Sequence, residues 1–357
     1  MELTEIEERE LLKYTSLFDF SAYLKNKTIL ITGSKGIVGS GVIKWILLQN
    51  LQKELNCHII ASTRNKDAVP NYIEAGDNIE FCTFGNEIEE CKGKQIDYII
   101  HAAAPTSGKV FLSHPVESLN VIVKGTERML ELAREHHSRM LYLSSEEAYG
   151  TPDSDKPISE EYVGAVNSLN IRSCYPLGKK VAELLCRSYY EEYGVDVSII
   201  RPTVILGLWQ EYDSVKVEAE ILRCIIEKKN LVMKSDGSTK KCVVYSLDAV
   251  SAVLVALTKG QAGEAYNATN PDTFCSVKDR ALTAFAKFEP SVTIEFQAEC
   301  NAQKLGYLPQ RSLCEDISKI SLLGWQPHAD IDYIYTIDLE RYKNLKLYKH
   351  SELISRA

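Results

Sequence analysis

The sequence predicts an α/β fold, a doubly wound parallel sheet with a smaller α/β lobe at its C-terminal end, and three observations carry that expectation. Short apolar runs alternate with helical stretches as far as residue 200. A glycine-rich loop joins the first of these runs to the first helix between strands. After Gly207 the rhythm changes to more polar, mixed segments. Alternation with short connections means parallel strands joined by helical crossovers.

Residues 1–26 place Leu3, Ile6, Leu11, Leu12, Leu17 and Phe18 at roughly helical spacing, predicting one or two short helices ahead of the main fold. Thr28–Thr32 (T-I-L-I-T) reads as a buried strand, followed by a helix over Val42–Leu51. Further strands are expected at Cys57–Ser62, Ile79–Phe84, Ile96–Ala102, Met140–Ser144 and Val195–Ile200. Helices are expected at Val116–His136 and from Tyr175 to Gly194. Residues 27–206 form the expected dinucleotide-binding domain. Residues 207–357 form mainly the lobe, with segments at Val215–Lys228, Cys242–Tyr245, Leu247–Leu257, Ala265–Ala268, Ser276–Phe288 and Val292–Phe296, and a last helix over Ile331–Leu345. The lobe should cover the carboxyl edge of the sheet, where open α/β sheets bind ligands.

Composition narrows the partners. The 357 residues are 45% hydrophobic and 25% charged, as in an ordinary soluble protein. A net charge of −8 argues against a nucleic-acid or anionic-membrane surface. The ten cysteines form no C-x-x-C and no zinc spacing, so reduced thiols, a cytoplasmic location and no metal are expected. Met1–Glu10 is acidic, unlike a signal peptide, and no apolar run reaches the ~18 residues of a membrane span.

The loop after the first strand reads Thr32-Gly33-Ser34-Lys35-Gly36-Ile37-Val38-Gly39. Its glycines permit a tight turn, close approach of backbone to a pyrophosphate and close helix–strand packing, and the helix N-terminus adds N–H donors. This predicts a bound nicotinamide dinucleotide. The second strand ends Ser62-Thr63-Arg64 with no acid for ribose hydroxyls, so Arg64 is a candidate for a 2′-phosphate and NAD versus NADP stays open. Asn86 follows the third strand and could meet the adenine amine. Ala102, Ala103 and Ala104 close the fourth, where small residues let a dinucleotide lie on backbone, and His101 reads as packing.

A Tyr four residues before a Lys occurs four times: Tyr23/Lys27, Tyr175/Lys179, Tyr212/Lys216 and Tyr342/Lys346. On a helix such a pair shares one face, and a nearby cation lowers a phenol pKa toward use as a base. Tyr175/Lys179 is singled out by its context. The fifth strand ends Ser144-Ser145-Glu146-Glu147, which in this architecture opens onto the nicotinamide. Ser145 would hydrogen-bond an alcohol, Tyr175 would take its proton, and Glu146 and Glu147 would be acid–base groups for a second step.

The motifs T-G-x-x-G-x-x-G, H-A-A-A, S-S-E-E-A-Y-G, Y-P-L-G-K, R-P-T-V-I-L-G and Y-S-L-D-A-V occur in order. Over about residues 27–345 the chain resembles the extended short-chain dehydrogenase/reductases, the NAD-dependent epimerase/dehydratase family. It is most similar there to UDP-glucuronate decarboxylases and nucleotide-sugar 4,6-dehydratases. The resemblance implies a Rossmann-type fold, a tightly bound and recycled NAD or NADP, a nucleotide-sugar substrate, a 4-keto intermediate and a homodimer built on the Val116–His136 and Tyr175 helices. Polysaccharide synthesis is the setting it suggests. In a dehydratase, Glu146 would protonate the leaving C6 hydroxyl and Glu147 would remove the C5 proton. Pro202 and Val204 would line the cofactor, and Thr106 and Lys241 the substrate. The chain departs from the family pattern at Ile122, at Val204 and Leu206, and at Lys241, which stands where an arginine commonly binds the substrate diphosphate. A 4-epimerase or keto-sugar reductase, needing only Ser145, Tyr175 and Lys179, is the second reading. A dinucleotide-binding sensor without turnover is the third.

Overall fold

The computed structural model describes residues 3–66, 78–152, 155–297 and 311–355, with side chains to residue 344. A capping box opens the chain: the Thr4 side chain accepts from the Glu7 N–H and the Glu7 carboxylate accepts from the Thr4 N–H, starting α1 (Glu5–Leu17). A short α2 (Ser21–Leu24) follows. The alternation then runs β1 (Thr28–Thr32), α3 (Ile37–Lys53), β2 (His58–Thr63), β3 (Ile79–Thr83), α4 (Glu87–Glu90), β4 (Tyr98–His101), α5 (Gly108–Ser113), α6 (Pro115–His136), β5 (Arg139–Leu143), α7 (Cys174–Tyr193) and β6 (Val197–Pro202). Helices end where the sequence supplies left-handed residues, as at Gly194, which closes α7 with φ 69°.

The second part holds β7 (Val204–Leu206), α8 (Val217–Glu227), β8 (Leu231–Met233), β9 (Lys240–Tyr245), α9 (Ser246–Lys259), β10 (Ala265–Ala268), β11 (Asn270–Ser276), α10 (Val277–Phe288), β12 (Ile294–Phe296), β13 (Ser312–Leu313), α11 (Ser318–Ser321) and α12 (Ile331–Ser355). The last helix therefore runs well past the Leu345 limit read from its pattern.

The main sheet is parallel and seven-stranded, in the order β10-β6-β5-β4-β1-β2-β3. The strand order reverses between β1 and β4, so a ligand crevice opens at their carboxyl ends. The seventh strand comes from beyond the expected boundary at 206/207: β10 pairs with β6, Ala265 opposite Ile199. The two parts of the chain are thus interleaved, with β10 pairing along the open edge of β6.

One apolar core lies between the sheet and α1, α3 and α9; a second lies on the other face beneath α6 and α7. A third, with α8, α10 and α12, belongs to the lobe. The N-terminal segment is part of this architecture. Its Glu7 is ion-paired with the buried Lys44 of α3 and accepts from the indole of Trp209 at 2.6 Å. Tyr14 donates to Asp248 of α9 at 3.0 Å, and Arg9 pairs with Glu340 of α12 at 3.0 Å. Burial pushes the Asp248 carboxyl up to about 7, against the donors Tyr14, His328 N–H and Ala329 N–H.

The nine described cysteines are all unbridged. Among the described residues no helix is long and apolar enough to cross a membrane, and no three His, Cys, Asp or Glu residues group for a metal.

Candidate active site

The glycine loop crosses the carboxyl end of β1. Gly33 has φ 68°, and a Cβ there would lie 2.7 Å from the Ala102 carbonyl carbon. A Cβ on Gly39 would meet the Gly33 carbonyl oxygen at 2.4 Å. Gly36 caps α3 without any side-chain bond, leaving the first N–H groups of α3 facing the loop. Those two glycines are required by the turn and the packing. Gly36 is tight against nothing but the Gly33 oxygen, at 3.3 Å, so its missing side chain leaves open space at the helix N-terminus. The cradle fits a dinucleotide pyrophosphate.

Around it, the Ser34 hydroxyl donates to the Ser62 carbonyl at 2.8 Å, tying the loop to β2. Thr63 is buried at the end of β2 and Arg64 is exposed. The missing β2 acid has a neighbour that sequence reading passed over. Glu87 of α4 is buried and accepts from the Ser62 hydroxyl at 2.7 Å and from the Gly85 N–H at 2.8 Å. Asn86 is exposed and donates to Glu90 at 3.2 Å. Ala102, Ala103 and Ala104 are partly buried at the mouth of β4, and the Ala103 N–H donates to Thr32. His101 is buried, with Nδ1 2.7 Å from Thr32 Oγ1. Burial, then the charges of Lys179 and Arg128, lower its pKa to about 3. It is a packed neutral ring, as its place at the strand end suggested.

Ser145 caps a 3₁₀ turn, Glu146–Tyr149, that carries both acids out of β5. Tyr175 lies in the first turn of α7, its ring stacked on Phe111 of α5 with centroids 4.6 Å apart. Ser145 faces the Tyr175 phenol closely enough to act against the rise of its pKa. Lys179, one turn on, donates to the Leu143 carbonyl at 2.6 Å, with its nitrogen 5.8 Å from the Tyr175 ring centre. The set is therefore assembled, but one expectation is corrected. Lys179 does not lower the phenol pKa here: burial, then Glu147, raises Tyr175 well above its usual value. Burial also lowers Lys179 itself to about 7, opposed by the nearby charge of Glu183. Glu183 in turn holds Arg201 of β6 through two bonds, at 2.9 and 2.7 Å, which fixes α7 against the sheet.

Each acid has an arginine that sequence reading missed. Glu146 is buried and paired with Arg311 at 2.8 Å, while its other oxygen accepts from Thr203 at 3.0 Å. Glu147 is paired with Arg172 at 2.8 Å, and its second oxygen is buried without a protein partner. Arg172 also lies over the Phe111 ring, 4.6 Å from its centre. A charged residue three positions before Tyr175 could have been noticed; Arg311 lies 165 residues from its partner and left no local trace.

The other predicted residues fall around this centre. Pro202 ends β6, Val204 opens β7 half-buried, and Thr106 is exposed in the loop after β4. Lys241 of β9 is paired with the buried Glu218 of α8 at 2.9 Å, and Arg280 of α10 reaches the same carboxylate at 3.6 Å. Burial lowers the pKa of nearby Lys216. Against burial, Lys241 and Arg280 lower the pKa of Glu218 to about 2. This leaves an excess of positive charge suited to an anion.

A family model described as NAD dependent epimerase/dehydratase matches residues 29–269. The UDP-glucuronic acid decarboxylase 6 of Arabidopsis thaliana is 29% identical over 313 residues, spanning 87% of both chains. Among solved structures, a UDP-glucose 4-epimerase from Thermotoga maritima superposes with a TM-score of 0.75 at 19% identity, over 89% of this chain and 99% of that one. A dTDP-glucose 4,6-dehydratase from Bacillus anthracis, solved with NAD, gives 0.71 at 21%, over 89% and 97%.

Proposed function

The chain belongs to the NAD-dependent epimerase/dehydratase family, and from that premise we propose that it oxidises a hydroxyl of a nucleotide-linked sugar acid and then releases CO2 from the keto intermediate. It is an NAD(P)-dependent sugar-modifying enzyme of the decarboxylase, dehydratase or epimerase kind. The observation that carries the finer reading is the state of the two acids. Dehydration asks Glu146 to reach the leaving hydroxyl of the substrate, yet both its oxygens are already engaged, one by Arg311 and one by Thr203. Loss of CO2 from a carbon next to a ketone needs no such contact. Glu147, with one oxygen unclaimed beside Tyr175, remains for moving the single proton that replaces CO2.

In this reading Ser145 orients the alcohol and Tyr175 takes its proton, in a pocket that Phe111 closes to water. Lys179 stands behind the ring, held by the Leu143 carbonyl. When bound, the oxidised nicotinamide supplies a hydride acceptor and a positive charge at the tyrosine, the charge that Lys179 alone does not deliver. The cofactor we infer is NAD. Glu87 places a carboxylate under the end of β2, where a 2′-phosphate would meet like charge, and Arg64 points into solvent. Lys241, with Arg280 and Lys216, fits the substrate diphosphate.

The test is a mass-spectrometric screen of nucleotide sugars, with NAD and NADP supplied in turn. A product lighter by one CO2 is expected from a nucleotide-linked uronic acid, with NAD and not NADP, and with no net NADH formed. Loss of water from a neutral hexose, or an unchanged mass with inverted configuration, would overturn decarboxylation in favour of the dehydratase or the epimerase reading.

A homodimer is the expected assembly. Val116 and Leu119 on α6 and Val181, Leu184 and Tyr193 on α7 leave an exposed apolar face on this helix pair. Sedimentation should give about twice the 40.1 kDa chain mass; a monomer at micromolar concentration would sink the assembly.

A further inference from the structure

Two thiols meet on the lobe sheet next to the partners of Glu146. β13 runs parallel to β9, with Ser312 opposite Lys240 and Leu313 opposite Lys241. One step further along this register Cys314 stands opposite Cys242, and the two sulfurs are 3.9 Å apart. Facing residues of neighbouring strands have Cα atoms about 5 Å apart, inside the range of about 4.4–6.8 Å that a disulfide spans. Both thiols are free, Cys242 with none of its surface exposed and Cys314 with 4%. Both lead to the same acid. Cys314 follows shortly after Arg311, which is paired with Glu146 at 2.8 Å. The Cys242 carbonyl is 2.9 Å from the Thr203 hydroxyl, which also reaches Glu146 at 3.0 Å. The segment that carries Arg311 is joined to its neighbours over a short length. β13 has two residues, the Lys240 N–H donates to the Arg311 carbonyl at 3.0 Å, and on the far side the Ile158 N–H donates to the Cys314 carbonyl at 2.9 Å. Glu315, fully buried, bridges to Ile158 beside it.

We propose that Cys242 and Cys314 are a peroxide-sensitive thiol pair, and that its disulfide ties the segment carrying Arg311 to β9. Hydrogen peroxide is the oxidant. The Cys314 sulfur attacks one peroxide oxygen, the O–O bond breaks, and a sulfenic acid and one water form. The Cys242 sulfur then attacks the sulfenic sulfur, whose oxygen leaves as a second water. Two thiols have given up two electrons and two protons to one peroxide, which is reduced to two waters. The order of the steps follows from the contact between the sulfurs. The Cys242 thiol donates toward Cys314 and lowers its pKa, against burial, so the more exposed sulfur is also the readier nucleophile. That same bond, then burial, raises the pKa of Cys242, which waits as the thiol that resolves the sulfenic acid. In a reducing compartment such a bond is transient, which suits a sensor and not a permanent staple.

The test treats the folded full chain with hydrogen peroxide, blocks the remaining thiols in urea and maps the peptides by mass spectrometry. A crosslink between the peptides of Cys242 and Cys314 is expected, with the loss of two hydrogens, and dithiothreitol should remove it. The crosslink joins residues 72 positions apart. Urea unfolding of the oxidised chain should therefore show an unfolding constant about 30- to 1,000-fold below that of the reduced chain, and dithiothreitol should restore the original value. Cys314→Ser and Cys242→Ala should each lose both the crosslink and the shift, and either serves where the other does not fold. Cys82 and Cys91 also act on one another, which supplies the competing product. A crosslink there in place of the expected one overturns the pair. So does Cys314 carried on to the sulfinic acid without a crosslink, or a chain that keeps all its thiols at a peroxide dose that oxidises reduced glutathione. A crosslink that leaves the unfolding constant unchanged overturns the tie to β9. Because no turnover is read, these outcomes are separate from any failure of the decarboxylase reading.

Discussion

Tyr175→Phe is expected to lower kcat by about 10²–10⁴-fold, the usual worth of a positioned acid–base group, while leaving dinucleotide affinity within about twofold. The two readouts separate because the ring and the hydroxyl have different duties. The ring stacks on Phe111 with centroids 4.6 Å apart and fills the wall of the pocket, and phenylalanine preserves that contact. The hydroxyl alone faces Ser145. Lys179 is held by the Leu143 carbonyl, so it should stay in place without the phenol. Cofactor fluorescence titration reads the affinity, and product formation on the substrate found by the mass screen reads the rate. Turnover within a few-fold of wild type would remove Tyr175 from the chemistry.

Gly39→Ala is the second large effect. Its Cβ would stand 2.4 Å from the Gly33 oxygen, 2.9 Å from the Gly33 carbon and 3.0 Å from the Ser34 Cα. All three are backbone atoms of the loop itself, so the strain can be relieved only by moving the cradle. A stability loss of about 1–3 kcal/mol and loss of measurable dinucleotide binding are expected. Gly36→Ala is the control. Its φ of −76° suits any residue, and its nearest contact is 3.3 Å, so the variant should unfold at the wild-type temperature yet bind the dinucleotide more weakly. Equal melting losses in the two variants would mean that the loop is a structural turn and no cradle.

The strands and the candidate tyrosine were legible because their signals are local. Apolar runs, glycine spacing and a Tyr–Lys pair one turn apart each lie within a dozen residues. What stayed hidden depends on pairing across the chain. Arg311 meets Glu146 over 165 residues and Arg172 meets Glu147 over 25, so the sequence displayed two bare acids where the fold has two ion pairs. Glu315 left no trace because nothing in a short polar strand end says that it will be sealed from water. The return of β10 to the main sheet was hidden for the same reason: a four-residue strand carries no mark of which sheet edge it will join. The pKa of Tyr175 was misjudged because burial, which periodicity does not measure, outweighs a cation one turn away.

The bonds that α1 makes also set an order of events during synthesis. Its pairing with Lys44 can form as soon as α3 exists, but Tyr14 must wait for Asp248, 234 residues later, and Arg9 for Glu340, 331 residues later. Although α1 precedes its partners in the chain, it is among the last helices to find all of them. Until then its Glu7, Glu10 and Tyr14, buried in the finished molecule, have only part of the polar company for which they are placed. Closure of this contact over nearly the whole chain length makes the docking of α1 a report that both parts of the fold are complete.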